Sequence, residues 1–253
     1  MKKLIILFSY LLFIFSLSAQ TENRWVSIVY IGNSITQGSS PQTAPPVKTS
    51  IYLQKQQGIG EVKYSNQGVS GHTTVDFLPE TNTTFPKIKI AADKLNENSW
   101  TTLVFSVMLG TNDSAIKGPN GSPVSAEQYY TNMKTIVNEL LKLYPECKIV
   151  IHRPIWYSPN TYNSAMYLKE GLMRLESYYP QIISLVESYG ASNPGHVFLG
   201  DTQAFDYFKE NYQTDFIPED GNAGTFYLHP NDSGGTKLAE FWGKAIYSVI
   251  TTN

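Results

Sequence analysis

The sequence predicts an α/β protein in which helices wrap a parallel sheet, and three observations carry that expectation. Short apolar runs rich in β-branched residues recur along the chain, and longer stretches with helical spacing separate them. The run "TTLVFSVML" has so few polar residues that it reads as a central strand covered on both faces.

In chain order, the opening "MKKLIILFSYLLFIFSLSAQ" has two lysines, an apolar stretch and a small-residue end at Ser18-Ala19. It reads as a secretory signal peptide over residues 1–19, with the mature chain, residues 20–253, forming one domain that is exported to the periplasm or beyond. The apolar stretch is shorter than the roughly 20 residues of a bilayer span, so no stable membrane insertion is expected after its removal. Strands are expected at residues 25–31, 62–65, 102–108, 148–152 and 196–199. Helices are expected at 51–57, 87–96, 126–143, 162–189 with a break near Pro180, and 234–250. Ser125 followed by Gln128 forms a capping-box start, and Met133, Ile136, Val137, Leu140 and Leu141 make one apolar stripe. Residues 39–46 and 117–123 read as loops.

Cys147 is the sole cysteine, so packing rather than a disulfide must hold the fold. A net charge of −2 with 16% charged residues provides no basic field, and nucleic acid is not an expected partner. The four histidines share no metal-ligand spacing, and neither metal nor cofactor is expected.

In open α/β sheets ligands bind beyond the carboxyl ends of the strands, so the residues that follow each strand form one set. Here that set is polar: Gly32-Asn33-Ser34 after the first run, Asn66 to Gly71 after the second, Gly110-Thr111-Asn112-Asp113 after the third, and Leu228-His229-Pro230-Asn231 before the last helix. A serine on a tight strand-to-helix turn can present its hydroxyl to an acyl carbon, and a histidine alongside can take the proton. Ser34 and His229 fit those roles. The amides of Ser34 and Gly71 and the side chain of Asn112 can donate to a developing oxyanion. Singly, each feature is ordinary, because serines cap helices and Asn-Asp pairs make turns. Their joint appearance in this order is not.

The chain resembles the SGNH (GDSL-like) hydrolase superfamily. "IGNSITQG" is similar to the first family block, with Asn33 where aspartate is usual; "NQGVSGHTT" to the second, with Gly71 at the oxyanion glycine. "LGTNDS" is similar to the third, with Asn112 at the oxyanion asparagine, and "LHPNDSGGTKLAEFW" to the last, with His229 at the catalytic histidine. The resemblance implies a three-layer α/β/α sandwich on a five-stranded parallel sheet of flavodoxin-like order. It also implies metal-free ester hydrolysis through an acyl-serine in a shallow, open site.

One departure stands out: the last block usually carries an aspartate three residues before the histidine, and Phe226 is there instead. A backbone carbonyl, Asp201 or Asp220 are the alternatives for orienting His229, with the carbonyl favoured. His72 either lines the pocket or is simply exposed. His152 and Arg153 either face substrate or bond within a loop, and His196 is expected at the surface. Trp156 and Tyr157 in "RPIWYSPNTYN" are the expected sugar-stacking platform. The expected function is hydrolysis of O-acetyl esters on a glycan or small ester substrate. The alternatives are a lysophospholipase or thioesterase of the same fold, and a non-catalytic carbohydrate-binding relative.

Overall fold

The computed structural model describes residues 23–40 and 43–252, so the expected signal peptide lies outside the described residues. Five strands form one parallel sheet: β1 (Arg24–Gly32), β2 (Ile59–Asn66), β3 (Thr101–Met108), β4 (Lys148–Ile151) and β5 (Val197–Leu199), in the order β2-β1-β3-β4-β5. Each falls within a few residues of its predicted run. The third strand is buried from Leu103 through Met108, as a strand covered on both faces requires.

Helices α2 (Pro45–Gln54) and α8 (Asp232–Thr251) pack together on one face. On the other lie α3 (Phe85–Leu95), α4 (Ala126–Leu143) and α5 (Leu168–Ser192), with α4 against α5. This is a three-layer α/β/α sandwich on a five-stranded parallel sheet, as expected. The α4 stripe is wholly buried, and Ser125 Oγ accepts the Gln128 N–H at 3.1 Å. Gln128's own side chain turns instead to Asn132, so only half of the capping box forms.

Three boundaries differ from expectation for identifiable reasons. Helix α2 begins at Pro45, inside a predicted loop, because proline is tolerated in a first turn whose N–H groups have no intrahelical partner. Helix α5 begins at Leu168, since the preceding segment is tied down elsewhere, with Tyr162 O accepting from Asn222 N and Met166 bonded to Lys117. It then runs unbroken through Pro180. The carbonyl that proline deprives of a partner belongs to exposed Glu176, where water can reach it, and buried Leu175, Tyr178, Ile182 and Leu185 anchor both halves.

The remaining α-helices and strands are α1 (Ser34–Gln37), α6 (Ala204–Glu210), α7 (Tyr212–Asp215) and an antiparallel hairpin, β6 (Phe216–Gly221) and β7 (Gly224–Pro230). The hairpin is not among the predicted strands. Its signal is the turn-forming "DGNAG", which joins two short extended runs. It feeds directly into α8 and carries the histidine to the sheet.

Candidate active site

Strand β1 ends on Gly32 because nothing larger fits there. A Cβ at that position would lie 2.0 Å from Thr36 Oγ1 and 3.0 Å from the Met108 carbonyl, so a side chain would push the turn off the end of β3. Asn33 follows in extended conformation, and its Oδ1 accepts the Ile35 N–H at 3.0 Å, capping the short helix α1. Asparagine and aspartate serve such a cap equally well. Ser34 therefore sits on the first residue of a rigid turn at the β1/β3 switch point of the sheet, where α/β folds bind ligands.

His229 Nε2 lies 2.9 Å from Ser34 Oγ. On the far side of the ring, Nδ1 is 2.9 Å from Oε1 and 3.1 Å from Oε2 of Glu219. An ionised carboxylate can only accept, so Nδ1 carries the ring hydrogen and Nε2 is left as the acceptor for the serine O–H.

A register slip helps aim the histidine. Glu219 pairs with Phe226 across the hairpin, and strict alternation would turn His229, three residues on, to the opposite face. The ladder shifts between Phe216 and Pro218, so that Phe216 pairs with Pro230, and the bend re-aims the ring toward Glu219.

Beside Ser34 lie three further donors. The Ser34 and Gly71 N–H groups have no hydrogen-bond partner among the described residues. Asn112 Nδ2 donates one hydrogen to the His72 carbonyl at 2.8 Å, which leaves its second available. Gly71 takes φ +77°, and a Cβ there would meet nothing within 4 Å, so the backbone faces open space. Buried Asp113 accepts from Thr74 N and Thr74 Oγ1, which ties the Gly71 loop to the Asn112 loop.

The model of the GDSL-like lipase/acylhydrolase family matches residues 30–236, from the end of β1 into α8. The chain belongs to this family. Its reaction class is carboxylic ester hydrolysis. No curated protein matches the sequence. Among solved structures, the GDSL-like hydrolase is similar to a carbohydrate acetylesterase from Sinorhizobium meliloti at 16% identity and TM-score 0.58, covering 88% of this chain and 99% of the other. An acetyl-xylooligosaccharide esterase from Geobacillus matches at 18% identity and TM-score 0.60, over 92% and 97% of the two chains. An aryl esterase from M. smegmatis matches at 15% and 0.58, over 88% and 99%. At these identities the likeness is one of fold.

Two cavities meet at Ser34 and His229 in this GDSL-like hydrolase. One, of about 290 Å³, has walls from Gln37, Pro45, Ile217 and Pro230. The other, of about 360 Å³, holds Gly71 and Asn112 together with Asn163, Ser164 and Tyr167.

Several expectations require correction. Neither Asp201, Asp220 nor a backbone carbonyl meets His229 Nδ1; that partner is Glu219, which the sequence reading missed. The Asp201 carboxylate accepts from the N–H groups of Gln203 and Ala204 at the start of α6, and burial raises its pKa. Asp220 is exposed, with Thr225 Oγ1 at 3.4 Å. Trp156 and Tyr157 form no platform: both are buried, Trp156 against Tyr212 and Phe216, and Tyr157 with its hydroxyl on Ser114.

His152 is wholly buried, stacked on Trp242, with Nε2 donating to Ser106 Oγ and Nδ1 accepting from Asp201 N. Arg153 lies between the rings of Phe205 and Tyr179, at 3.8 Å and 4.5 Å from their centroids. Neither faces the cavities. His72 meets Thr84 Oγ1 through its ring and serves the site through its carbonyl. His196 is half-buried against the Cys147 carbonyl rather than free at the surface. Among the described residues, no group of three His, Cys, Asp or Glu side chains could hold a metal ion.

Proposed function

We propose that this hydrolase is an exported esterase that removes O-acetyl groups from carbohydrates through an acyl-serine intermediate. The observation that carries the reading is the continuous relay from Ser34 Oγ through His229 to Glu219, at 2.9 Å on each side of the ring. Ser34 Oγ attacks the ester carbonyl carbon while His229 Nε2 takes its proton. The carbonyl oxygen becomes an oxyanion, received by the N–H groups of Ser34 and Gly71 and the Asn112 side chain. His229 then protonates the departing alcohol, leaving the acyl group on Ser34. Water, deprotonated by the same ring, attacks the acyl-serine, and the ring returns that proton to Ser34 Oγ as the acid departs. Throughout, Glu219 keeps the hydrogen on Nδ1 and stabilises the imidazolium as it forms.

Support for a glycan comes from the polar wall of Asn163 and Ser164 beside Asn112, and from the acetylesterases among the structural neighbours. The exposed Trp25 and Trp100 stand at the amino ends of β1 and β3, the opposite edge of the sheet from Ser34, so that Ile217 is the exposed large apolar side chain lining the site's cavities. The Glu219 carboxylate takes away the ground for a non-catalytic relative, which was the missing aspartate.

The test is acetate release from acetylated xylan, pectin and sialoglycans, with p-nitrophenyl esters of increasing acyl length in parallel. Turnover on one glycan and a preference for acetate over longer chains is expected, with Ser34→Ala inactive yet folded. A preference for long acyl chains would favour a lysophospholipase or thioesterase. A Ser34→Ala variant within tenfold of wild type would end the acyl-serine mechanism. Export is tested separately by the N-terminus of the released protein, expected near Gln20.

A further inference from the structure

Tyr167 closes the inner wall of the cavity that holds Asn112, and it donates its hydroxyl to Asn112 Oδ1 at 2.7 Å. The ring is 3% exposed and Asn112 4%. A side-chain amide can turn over about its last bond, which exchanges a donor for an acceptor. Only one of the two orientations aims an N–H at a developing oxyanion; the other aims a lone pair. The His72 carbonyl can only accept, so it demands the nitrogen on its side, while the phenol donates to the oxygen on the other. Burial holds the Tyr167 phenol above its ordinary pKa, which keeps it a protonated donor.

The backbone around Tyr167 is unusual. Leu168 takes φ +52°, a left-handed conformation unfavourable for a residue with a Cβ. The Thr161 carbonyl accepts both the Tyr167 and the Leu168 N–H, at 3.2 and 3.1 Å, and so holds the strained turn. Tyr157 packs edge-on against the Tyr167 ring at 5.3 Å. Strain of this kind persists where the surroundings over-determine a geometry, and here what it sets is the aim of one hydroxyl.

We propose that Tyr167 is a positioning residue for ester hydrolysis, locking the Asn112 amide with its free N–H toward the oxyanion. The inference rests on the reading of Asn112 as an oxyanion donor. Without the hydroxyl, Oδ1 is left buried and unsatisfied, and the His72 carbonyl alone opposes the turn that would bring the oxygen toward the oxyanion. The hydrogen bond to Oδ1 also polarises the amide and strengthens its N–H as a donor.

The experiment is a double-mutant cycle on p-nitrophenyl acetate, with Tyr167→Phe, Asn112→Ala and both together. Tyr167→Phe keeps the ring and should lower kcat about tenfold, with KM within about twofold, because only transition-state stabilisation is lost. In the Asn112→Ala background the same change should cost nothing further. A phenol that merely supports the fold would lower kcat by the same factor in both backgrounds, and that outcome overturns the proposal. If Asn112→Ala slows the enzyme but Tyr167→Phe does not, this inference alone fails. If Asn112→Ala keeps wild-type kcat, the oxyanion reading fails and takes this inference with it.

Discussion

Glu219 stands directly opposite Phe226 in the β6–β7 ladder, and its carboxylate meets His229, three residues along the facing strand from Phe226. Phe226 fills the position at which the resemblance to the family implies an aspartate, and its ring is buried at 1% exposure. The carboxylate that meets the histidine thus stands across the hairpin from Phe226, whose ring belongs to the core.

That relationship predicts the outcome of three conservative substitutions. Glu219→Gln removes the acceptor that selects the Nδ1–H tautomer and should lower kcat by up to about 10⁴, the loss seen when a serine protease loses the carboxylate beside its histidine. Its melting temperature should change little, since the side chain is partly exposed. Asp201→Asn and Asp220→Asn should each retain kcat within about tenfold, because neither touches the histidine. Steady-state kinetics beside thermal melts decide it, and an inactive, well-folded Asp201→Asn would contradict this assignment.

Gly71→Ala separates catalysis from folding. A methyl there has room, but the residue must keep φ +77°, which costs about 1–2 kcal/mol for a residue with a Cβ. The expected loss of melting temperature is about 2–8 °C for a chain of this size. If the backbone relaxes, the Gly71 N–H swings from the oxyanion site, and kcat should fall about tenfold or more, toward the loss of one donor. A variant that melts lower but keeps full kcat would remove Gly71 from the oxyanion hole.

His152 should register in stability and not in catalysis. Burial pushes its pKa down to about 3, below the unfolded value of 6.5. Between those values the unfolded chain binds the extra proton, so stability rises with pH across the window and is complete above it, by at most about 5 kcal/mol. Compared with His152→Gln, the wild type should gain stability from about pH 3 to pH 6.5, while kcat at neutral pH stays within about twofold. Denaturant midpoints at successive pH values measure the first, and a pH-independent gap would refute it.

Asp113 should show the opposite slope. Burial raises its pKa to about 6 against an unfolded value of 3.8, and its Oδ2 has no hydrogen-bond partner among the described residues. Here the native state binds the extra proton, so stability falls as pH rises through that window, by about 3 kcal/mol. Asp113→Asn should therefore become more stable relative to wild type between about pH 4 and pH 6, and the gap should level off above. A gap that narrows over this range would mean the carboxylate is held ionised by groups that outweigh its burial.

The five strands of the parallel sheet, its parallel class and the polar set at the strand ends are legible in the amino-acid sequence, whereas the β6–β7 hairpin is not. Hydrophobic periodicity and turn chemistry are local, and Ser34, Gly71, Asn112 and His229 each stand in a segment that can be read within a few residues. Partnership between side chains came from the folded arrangement. Glu219 reaches His229 because a ladder with a one-residue slip brings the two strands into that register, and no periodicity along either strand encodes it. Tyr167 reaches Asn112 from 55 residues away, through a left-handed turn that composition does not announce. Trp156 and Tyr157 read as a surface platform because aromatic loops suit sugars, yet packing drew both rings into the core. Side-chain chemistry is written residue by residue, whereas burial and contact depend on how distant segments close upon one another.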